Sequence, residues 1–387
     1  MSRRILLLSV SAGTGHVRAA QALQRCAVEQ YGLQAEHLDA MDYVPASFRK
    51  LYADLYVKLS SRYPRLWGWL YHTSDESRPH SPMHKLRRAV ERLNTRALRR
   101  AIQAFAPDAI VCTHFLPAEM LMHDLRRGRI DLPVWVQVTD FDLHRMWVLP
   151  HMAGYFTGNA EVAYRLQCAG VEAARTHATG IPVMPAFAAP PDRATCAAEL
   201  GLDPQRLTFL LMGGGAGVGQ LERIAAQLLA LPVAGSRHGE AFQLIALAGR
   251  NQAALAALHA LAEAHPGRLL PQGFSDRVER LMGCSDAVLS KPGGLTSAEC
   301  LALGKPMLVL APIPGQEERN ADFLLEHGAA LKAVDELALA WRVRELADHP
   351  ERLTPMADQA RALGRPHAAR DALAIVLADL AKRKPTP

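Results

Sequence analysis

Several familiar signals are missing from this chain of 387 residues, and each absence removes a class of protein. The six cysteines, Cys26, Cys112, Cys168, Cys196, Cys284 and Cys300, stand far apart, with no Cys-x-x-Cys and no Cys/His pair at metal spacing. That excludes a disulfide framework and a structural zinc site, and leaves small apolar core residues as the expectation. No run approaches the ~20 uninterrupted apolar residues of a membrane-spanning helix. The opening MSRRILLLSV is basic but meets a glycine turn at once, without a signal peptide's long apolar region and cleavage site, so a cytoplasmic protein is expected. After Gly13-Thr14-Gly15 there is no Gly-Lys-Ser/Thr of a Walker loop and no third glycine of the dinucleotide fingerprint. Short-period repeats are lacking as well.

What is present describes a large folded chain. Hydrophobic residues make up 49% and charged residues 21%, with a formal net charge of +6; the positive balance favours an anionic partner, and nucleic acid, nucleotide and anionic lipid all qualify. The length suits two domains. Short apolar runs, Ile5 to Val10, Ala109 to Thr113 and Val134 to Thr139, alternate with helical stretches, and the same alternation resumes from Leu207 to about Leu331. This pattern predicts an α/β protein with parallel sheets covered by helices on both faces. Between the halves lies TGIPVMPAFAAPPDR, whose four prolines give it a linker composition. The expected domains are therefore 1–185 and 186–365, two Rossmann-like units whose sheets face a cleft. A last helix, within 366–387, is expected to cross back to the first domain.

In each half a strand ends in glycines just before a helix, the place where open α/β sheets bind ligands. In the first, LLLSVSAGTGHVRAAQAL puts His16 at the handover, where it meets a ligand or merely caps the helix. In the second, Thr208 to Met212 leads into Gly213-Gly214-Gly215-Ala216-Gly217. Backbone without side chains lets amide groups approach a diphosphate, and the helix dipole favours its charge. A second such start follows at Pro292-Gly293-Gly294, with Thr296 in the first turn and Glu299 one turn on, a carboxylate suited to ribose hydroxyls. Gln316, Glu317 and Asn320 share a face of a further helix by their spacing. Such polar groups suit the hydroxyls of a sugar, and each alone also suits a solvated helix face.

SKPGGLTSAE followed by APIPGQEERNADF resembles the nucleotide-sugar half of the GT-B fold glycosyldiacylglycerol synthases, the monogalactosyldiacylglycerol synthase and processive diacylglycerol glucosyltransferase family. GTGHVRAAQAL, VTDFDLHRMW and ATGIPVMPAF resemble three further motifs of that family in their order, so the resemblance spans about residues 5 to 330. The N-acetylglucosaminyltransferase of the peptidoglycan lipid precursor is a more distant likeness. The resemblance implies inverting transfer of glucose or galactose from a UDP-hexose to diacylglycerol, with no metal or other cofactor. It implies that Gly213, Gly214, Gly215, Gly217, Pro292, Gly293, Gly294 and Thr296 hold the diphosphate, Glu299 the ribose, and the backbone at Phe274 the uracil. Gln316, Glu317 and Asn320 would face the hexose and phosphates.

An inverting transfer needs a base beside the acceptor hydroxyl. His16, next to Gly15, fits because histidine's reference pKa lies near neutral pH, and Asp140 is either its orienting partner or the base itself. His144 and Trp147 are expected at the acceptor. Residues 43 to 71 hold more than a third of the chain's aromatics, among them Tyr52, Tyr56, Trp67 and Trp69. Residues 84 to 100, HKLRRAVERLNTRALRR, carry Arg87, Arg88 and Arg92 in a strongly basic run. Aromatic and basic neighbours fit a peripheral protein on anionic lipid at the inner face of the cell membrane, with no nucleic acid partner. Three alternatives remain open: another lipid-linked acceptor such as a polyprenyl-diphosphate sugar, a UDP-sugar epimerase, and a UDP-sugar sensor without catalysis.

Overall fold

The structure, a computed structural model, describes residues 2–11, 13–49, 96–213, 221–232 and 242–383. They form two compact units. Unit 1 is drawn from residues 1–185, 313–319 and 365–387, and unit 2 from 186–312 and 320–364.

Unit 1 runs β1 (Arg4–Ser9), α1 (Thr14–Tyr31), β2 (Gln34–Asp39), α2 (Arg96–Phe105), β3 (Ala109–Cys112), α3 (Phe115–Arg126), β4 (Val134–Gln137), β5 (Gly154–Phe156), α4 (Ala160–Cys168) and β6 (Thr176–His177). Its strands make one parallel sheet in the order β2-β1-β3-β4-β5-β6. Ile5, Leu6, Leu7 and Leu8 are all fully buried, because a parallel strand is covered on both faces and so carries no polar alternation. Alternate side chains feed two layers: Leu6 and Leu8 join Ile110 and Val136 on one face, while Ile5 and Leu7 meet Leu23 of α1 on the other.

Unit 2 runs α5 (Arg193–Leu200), β7 (Thr208–Met212), α6 (Leu221–Leu229), β8 (Gln243–Gly249), α7 (Gln252–Glu263), β9 (Leu269–Gly273), α8 (Val278–Gly283), β10 (Ala287–Ser290), α9 (Gly294–Ala302), β11 (Met307–Leu310), α10 (Gln316–Glu326, with Gln316 to Arg319 counted in unit 1), β12 (Ala330–Ala333), α11 (Glu336–Asp348) and α12 (Leu353–Leu363). Its sheet is also parallel and six-stranded, in the order β12-β11-β10-β7-β8-β9. The side chains of Arg193 and Asp286 tie α5 to the foot of this sheet by paired bonds of 2.8 and 3.0 Å, and Asp286 also accepts the Thr208 amide at 2.7 Å.

The last helix, α13 (Ala368–Lys382), belongs to unit 1. Ala372, Leu373 and Val376 enter the layer of Ile5, Leu7 and Leu23, and the Tyr31 hydroxyl donates to the Arg370 carbonyl at 3.0 Å.

Three local expectations are corrected. The strand at Val134 ends at Gln137, so Thr139 and Asp140 stand in the loop beyond it. Helix α1 starts at Thr14, which puts His16 inside its first turn; first-turn residues lack an intrahelical N–H partner, and the apolar period does not mark them. Cys168 is exposed at the end of α4, whereas the other five cysteines are buried as expected.

Candidate functional site

In each sheet the chain reverses its direction of winding at one pair of neighbouring strands: β1 and β3 in unit 1, β7 and β10 in unit 2. Connections leave in opposite directions there, opening a crevice at the strands' carboxyl ends. The candidate residues of each half gather at that point.

In unit 1, β1 is followed by α1, β3 by Thr113 and His114, and β4 by Thr139 and Asp140. His16 meets the first of these loops directly. Its Nδ1 lies 3.1 Å from the Thr113 carbonyl oxygen and 2.9 Å from Thr139 Oγ1. The Thr113 hydroxyl donates to the His16 carbonyl at 2.8 Å, which pins the backbone as well as the ring. A carbonyl only accepts, so Nδ1 carries the proton and Nε2 keeps its lone pair. The rings of His114 and Trp147 enclose this imidazole, at 4.5 Å edge-on and 6.4 Å tilted.

That enclosure changes the acid–base picture drawn from the sequence. Burial pulls His16 down to about 4, against the smaller opposing pull of its bond to Thr113. The reference value near 6.5 therefore does not apply, and the ring is neutral at neutral pH. His114 is lowered well below the ordinary range too, first by burial and then by the neighbouring His16.

His144 and Trp147, expected at the acceptor, have structural work in the loop. The buried His144 caps a single 3-10 turn, Nδ1 accepting the Met146 amide at 3.2 Å. Trp147 is 3% exposed and packs edge-on against Phe115 at 5.7 Å. Asn159 braces the same loop, donating to the Phe141 carbonyl at 2.9 Å. Sequence reasoning missed Thr113, His114 and Thr139. The signal that could have found them is positional, since each stands within two residues of the carboxyl end of β3 or β4. Asp140 and Asp142 form an Asp-x-Asp pair in this loop, and Asp142 is ion-paired with Arg165 at 3.3 Å.

In unit 2, β7 leads to Gly213, while Gly214, Gly215 and Gly217 lie outside the described residues. Across the reversal, β10 leads through the buried Pro292 to Gly293, the residue capping α9. Gly293 has an ordinary φ of −63° and no side-chain cap bond, and a Cβ there would meet nothing within 4 Å. Neither backbone strain nor packing calls for glycine. What its bare backbone does is leave the first-turn amides of α9, from Gly294 through Thr296, open to an anion. Gly13 caps α1 in the same way, extended at φ 170°, without a side-chain bond and with open space beside it. By contrast, α3, α4, α5, α7 and α11 are each capped by a side chain, from His114, Asn159, Asp192, Asn251 and Asp335.

Glu299 is buried on α9, and Thr296 is half-buried one turn before it. Phe274 follows β9, is 64% exposed, and carries the Arg250 guanidinium 4.7 Å above its ring. Gln316 is half-buried at the start of α10 and Asn320 is buried one turn on. Glu317 has a local task besides the expected one, since its Oε2 accepts the Ile313 amide at 2.7 Å and so fixes the turn entering the helix. Among the described residues no three His, Cys, Asp or Glu side chains gather to hold a metal ion.

Of the expected membrane-contact residues, Tyr52, Tyr56, Trp67, Trp69, Arg87, Arg88 and Arg92 lie outside the described residues. The flanks are described. Tyr43 and Phe48 pack against the core of unit 1, and Arg99, at the end of the basic run, pairs with the buried Asp124 at 3.2 Å.

Comparison with known proteins finds likenesses in both halves of the chain. Residues 16–183 match the family described as monogalactosyldiacylglycerol (MGDG) synthase, and residues 208–372 the glycosyltransferase family 28 C-terminal domain. A processive diacylglycerol β-glucosyltransferase of Bacillus pumilus is 26% identical over 378 residues, covering 96% of this chain and 94% of that protein. A probable chloroplastic monogalactosyldiacylglycerol synthase 2 of Oryza sativa subsp. indica is 27% identical, covering 96% of this chain and 79% of that protein. Among solved structures, MurG of Acinetobacter baumannii matches with a TM-score of 0.62 at 17% identity, over 97% of this chain and 99% of that one. The two family segments between them span most of the chain, and along nearly its whole length the chain is similar to diacylglycerol glucosyltransferases and monogalactosyldiacylglycerol synthases, on the two-domain GT-B fold that it shares with MurG.

Proposed function

We propose that the protein moves a hexose from a UDP-sugar to the free hydroxyl of diacylglycerol with inversion at the anomeric carbon, giving a β-glycosyldiacylglycerol. The donor and acceptor classes rest on the likeness to the diacylglycerol glucosyltransferases and galactosyldiacylglycerol synthases along nearly the whole chain. The observation that carries the chemistry is His16, a neutral imidazole whose Nδ1 is occupied by Thr113 and Thr139, so that Nε2 is the basic atom. In this reading Nε2 takes the proton of the acceptor hydroxyl as its oxygen bonds to the anomeric carbon, and the bond from that carbon to the β-phosphate breaks. The open amides at Gly293 to Thr296 and the glycine turn from Gly213 stabilise the charge on the departing UDP, with no metal assigned a part. Glu299 holds the ribose and the backbone near Phe274 the uracil. Gln316, Glu317 and Asn320 meet the sugar and phosphates. Unit 1 binds the lipid acceptor and, through residues 43 to 100, the anionic surface of the membrane's inner face.

The test is UDP release from UDP-glucose and UDP-galactose, in separate reactions, with vesicles of anionic lipid made with and without diacylglycerol. Release that requires diacylglycerol is the expected result, and the faster donor identifies the hexose. Release independent of diacylglycerol, or none from either donor despite UDP binding, would overturn the acceptor assignment. An epimerase with the same fold would convert its donor without vesicles, and a sensor would release no UDP at all.

A further inference from the structure

We propose that Thr139 is a positioning residue which, with the Thr113 carbonyl, fixes His16 as the Nδ1–H tautomer and so directs its Nε2 lone pair to the acceptor. The inference rests on the reading of His16 as the base.

The geometry makes the argument. A neutral imidazole has one N–H, and a base at Nε2 requires it at Nδ1. Two oxygens face Nδ1: the Thr113 carbonyl at 3.1 Å and the Thr139 hydroxyl at 2.9 Å. With the proton on Nε2 instead, Nδ1 would turn its lone pair toward the carbonyl's own, a repulsive contact in a largely buried site. The Thr113 hydroxyl, donating to the His16 carbonyl at 2.8 Å, fixes the backbone from which the ring reaches both acceptors. Thr139 is 4% exposed, so its side chain is largely shielded from bulk water. When Nε2 takes the acceptor's proton, the ring becomes a cation and its Nδ1–H bonds become charge-assisted, roughly twice as strong as before. Thr139 therefore acts mainly after the proton has moved, in the transition state and not in donor binding. It supplies the support that the aqueous environment of an exposed histidine would otherwise give.

The experiment combines kinetics with 15N NMR of the full chain labelled at histidine, His16 being assigned by difference from His16→Asn. In the wild type, Nδ1 is expected to be protonated and Nε2 not. Thr139→Val, close in shape but without the hydroxyl, should lower kcat about 10-fold or more while KM for the UDP-sugar changes less than about twofold. Thr139→Ser should restore most of the rate. A merely structural role would move melting temperature and KM together, and the serine variant guards against a folding defect in the valine one. A wild-type ring protonated at Nε2, or a Thr139→Val enzyme with unchanged kcat beside a His16→Ala enzyme that has lost turnover, would overturn the inference alone. His16→Ala with full turnover would instead overturn the reading of His16 as base.

Discussion

At the scale of single residues, His16 shows what composition and spacing can and cannot give. Its location was legible because a buried apolar strand, two glycines and a helical period bracket it. Its protonation was not, since burial depends on His114 and Trp147, which approach from loops about 100 and 130 positions away along the chain. The consequence is measurable. Because the ring's value is lowered to about 4, the basic form is populated throughout the neutral range and is lost only as pH falls toward that value. The acid limb of kcat/KM belonging to His16 is accordingly expected near pH 4, with no break near 6.5. A titration of the rate at 6.5 that disappears in His16→Asn would contradict the buried assignment. His16→Ala should lower turnover by about 100-fold or more while UDP binding, measured by calorimetry, persists. Thr139, by contrast, gave no sequence signal beyond its place at the end of an apolar run, because a hydroxyl's partner is set by the fold.

At the scale of elements, the strands and the helix starts were readable to within a few residues, and the winding order was not. Periodicity identified β1, β3, β4 and β7 as buried strands, yet nothing local in the chain says that β10 lies beside β7 or β3 beside β1. Those pairings create the two crevices. They also give the glycine caps of α1 and α9 their meaning, since both helices start at a winding reversal and lack the side-chain caps that most of the other capped helices have. A serine at an N-cap accepts a first-turn amide hydrogen on its own oxygen and stabilises a helix by a few tenths of a kcal/mol relative to glycine. Gly293→Ser should thus leave the melting temperature unchanged or slightly raised. UDP affinity should fall about 10-fold if, as proposed, the same amides serve the phosphates. Loss of stability with unchanged UDP affinity would show that the glycine serves the fold and not the ligand.

At the scale of the whole molecule, the pairing of two parallel six-stranded sheets with a returning C-terminal helix follows from alternating elements and a proline-rich seam. The aromatic and basic run between 43 and 100 has a different standing. Its described ends serve the core, through Tyr43, Phe48 and the Arg99 to Asp124 pair, so under the proposed function lipid contact would fall to the residues between them. Among the described residues no helix is long and apolar enough to cross a membrane, and the net charge is +6, which favours an electrostatic approach to anionic lipid. Replacing Arg87, Arg88 and Arg92 with glutamate should weaken sedimentation with anionic vesicles several-fold at low salt, with the difference shrinking as ionic strength rises. Equal binding of the variant at every salt concentration would remove this segment from the membrane contact.

The central claim is that an α-linked hexose leaves UDP and arrives inverted on diacylglycerol. The most direct measurement is the proton NMR spectrum of the lipid made by the purified protein from the preferred UDP-hexose in diacylglycerol vesicles. The expected product is a glycosyldiacylglycerol whose anomeric proton shows the large coupling of a β linkage. An α-linked glycolipid, or a UDP-sugar converted with no sugar on the lipid, would contradict it.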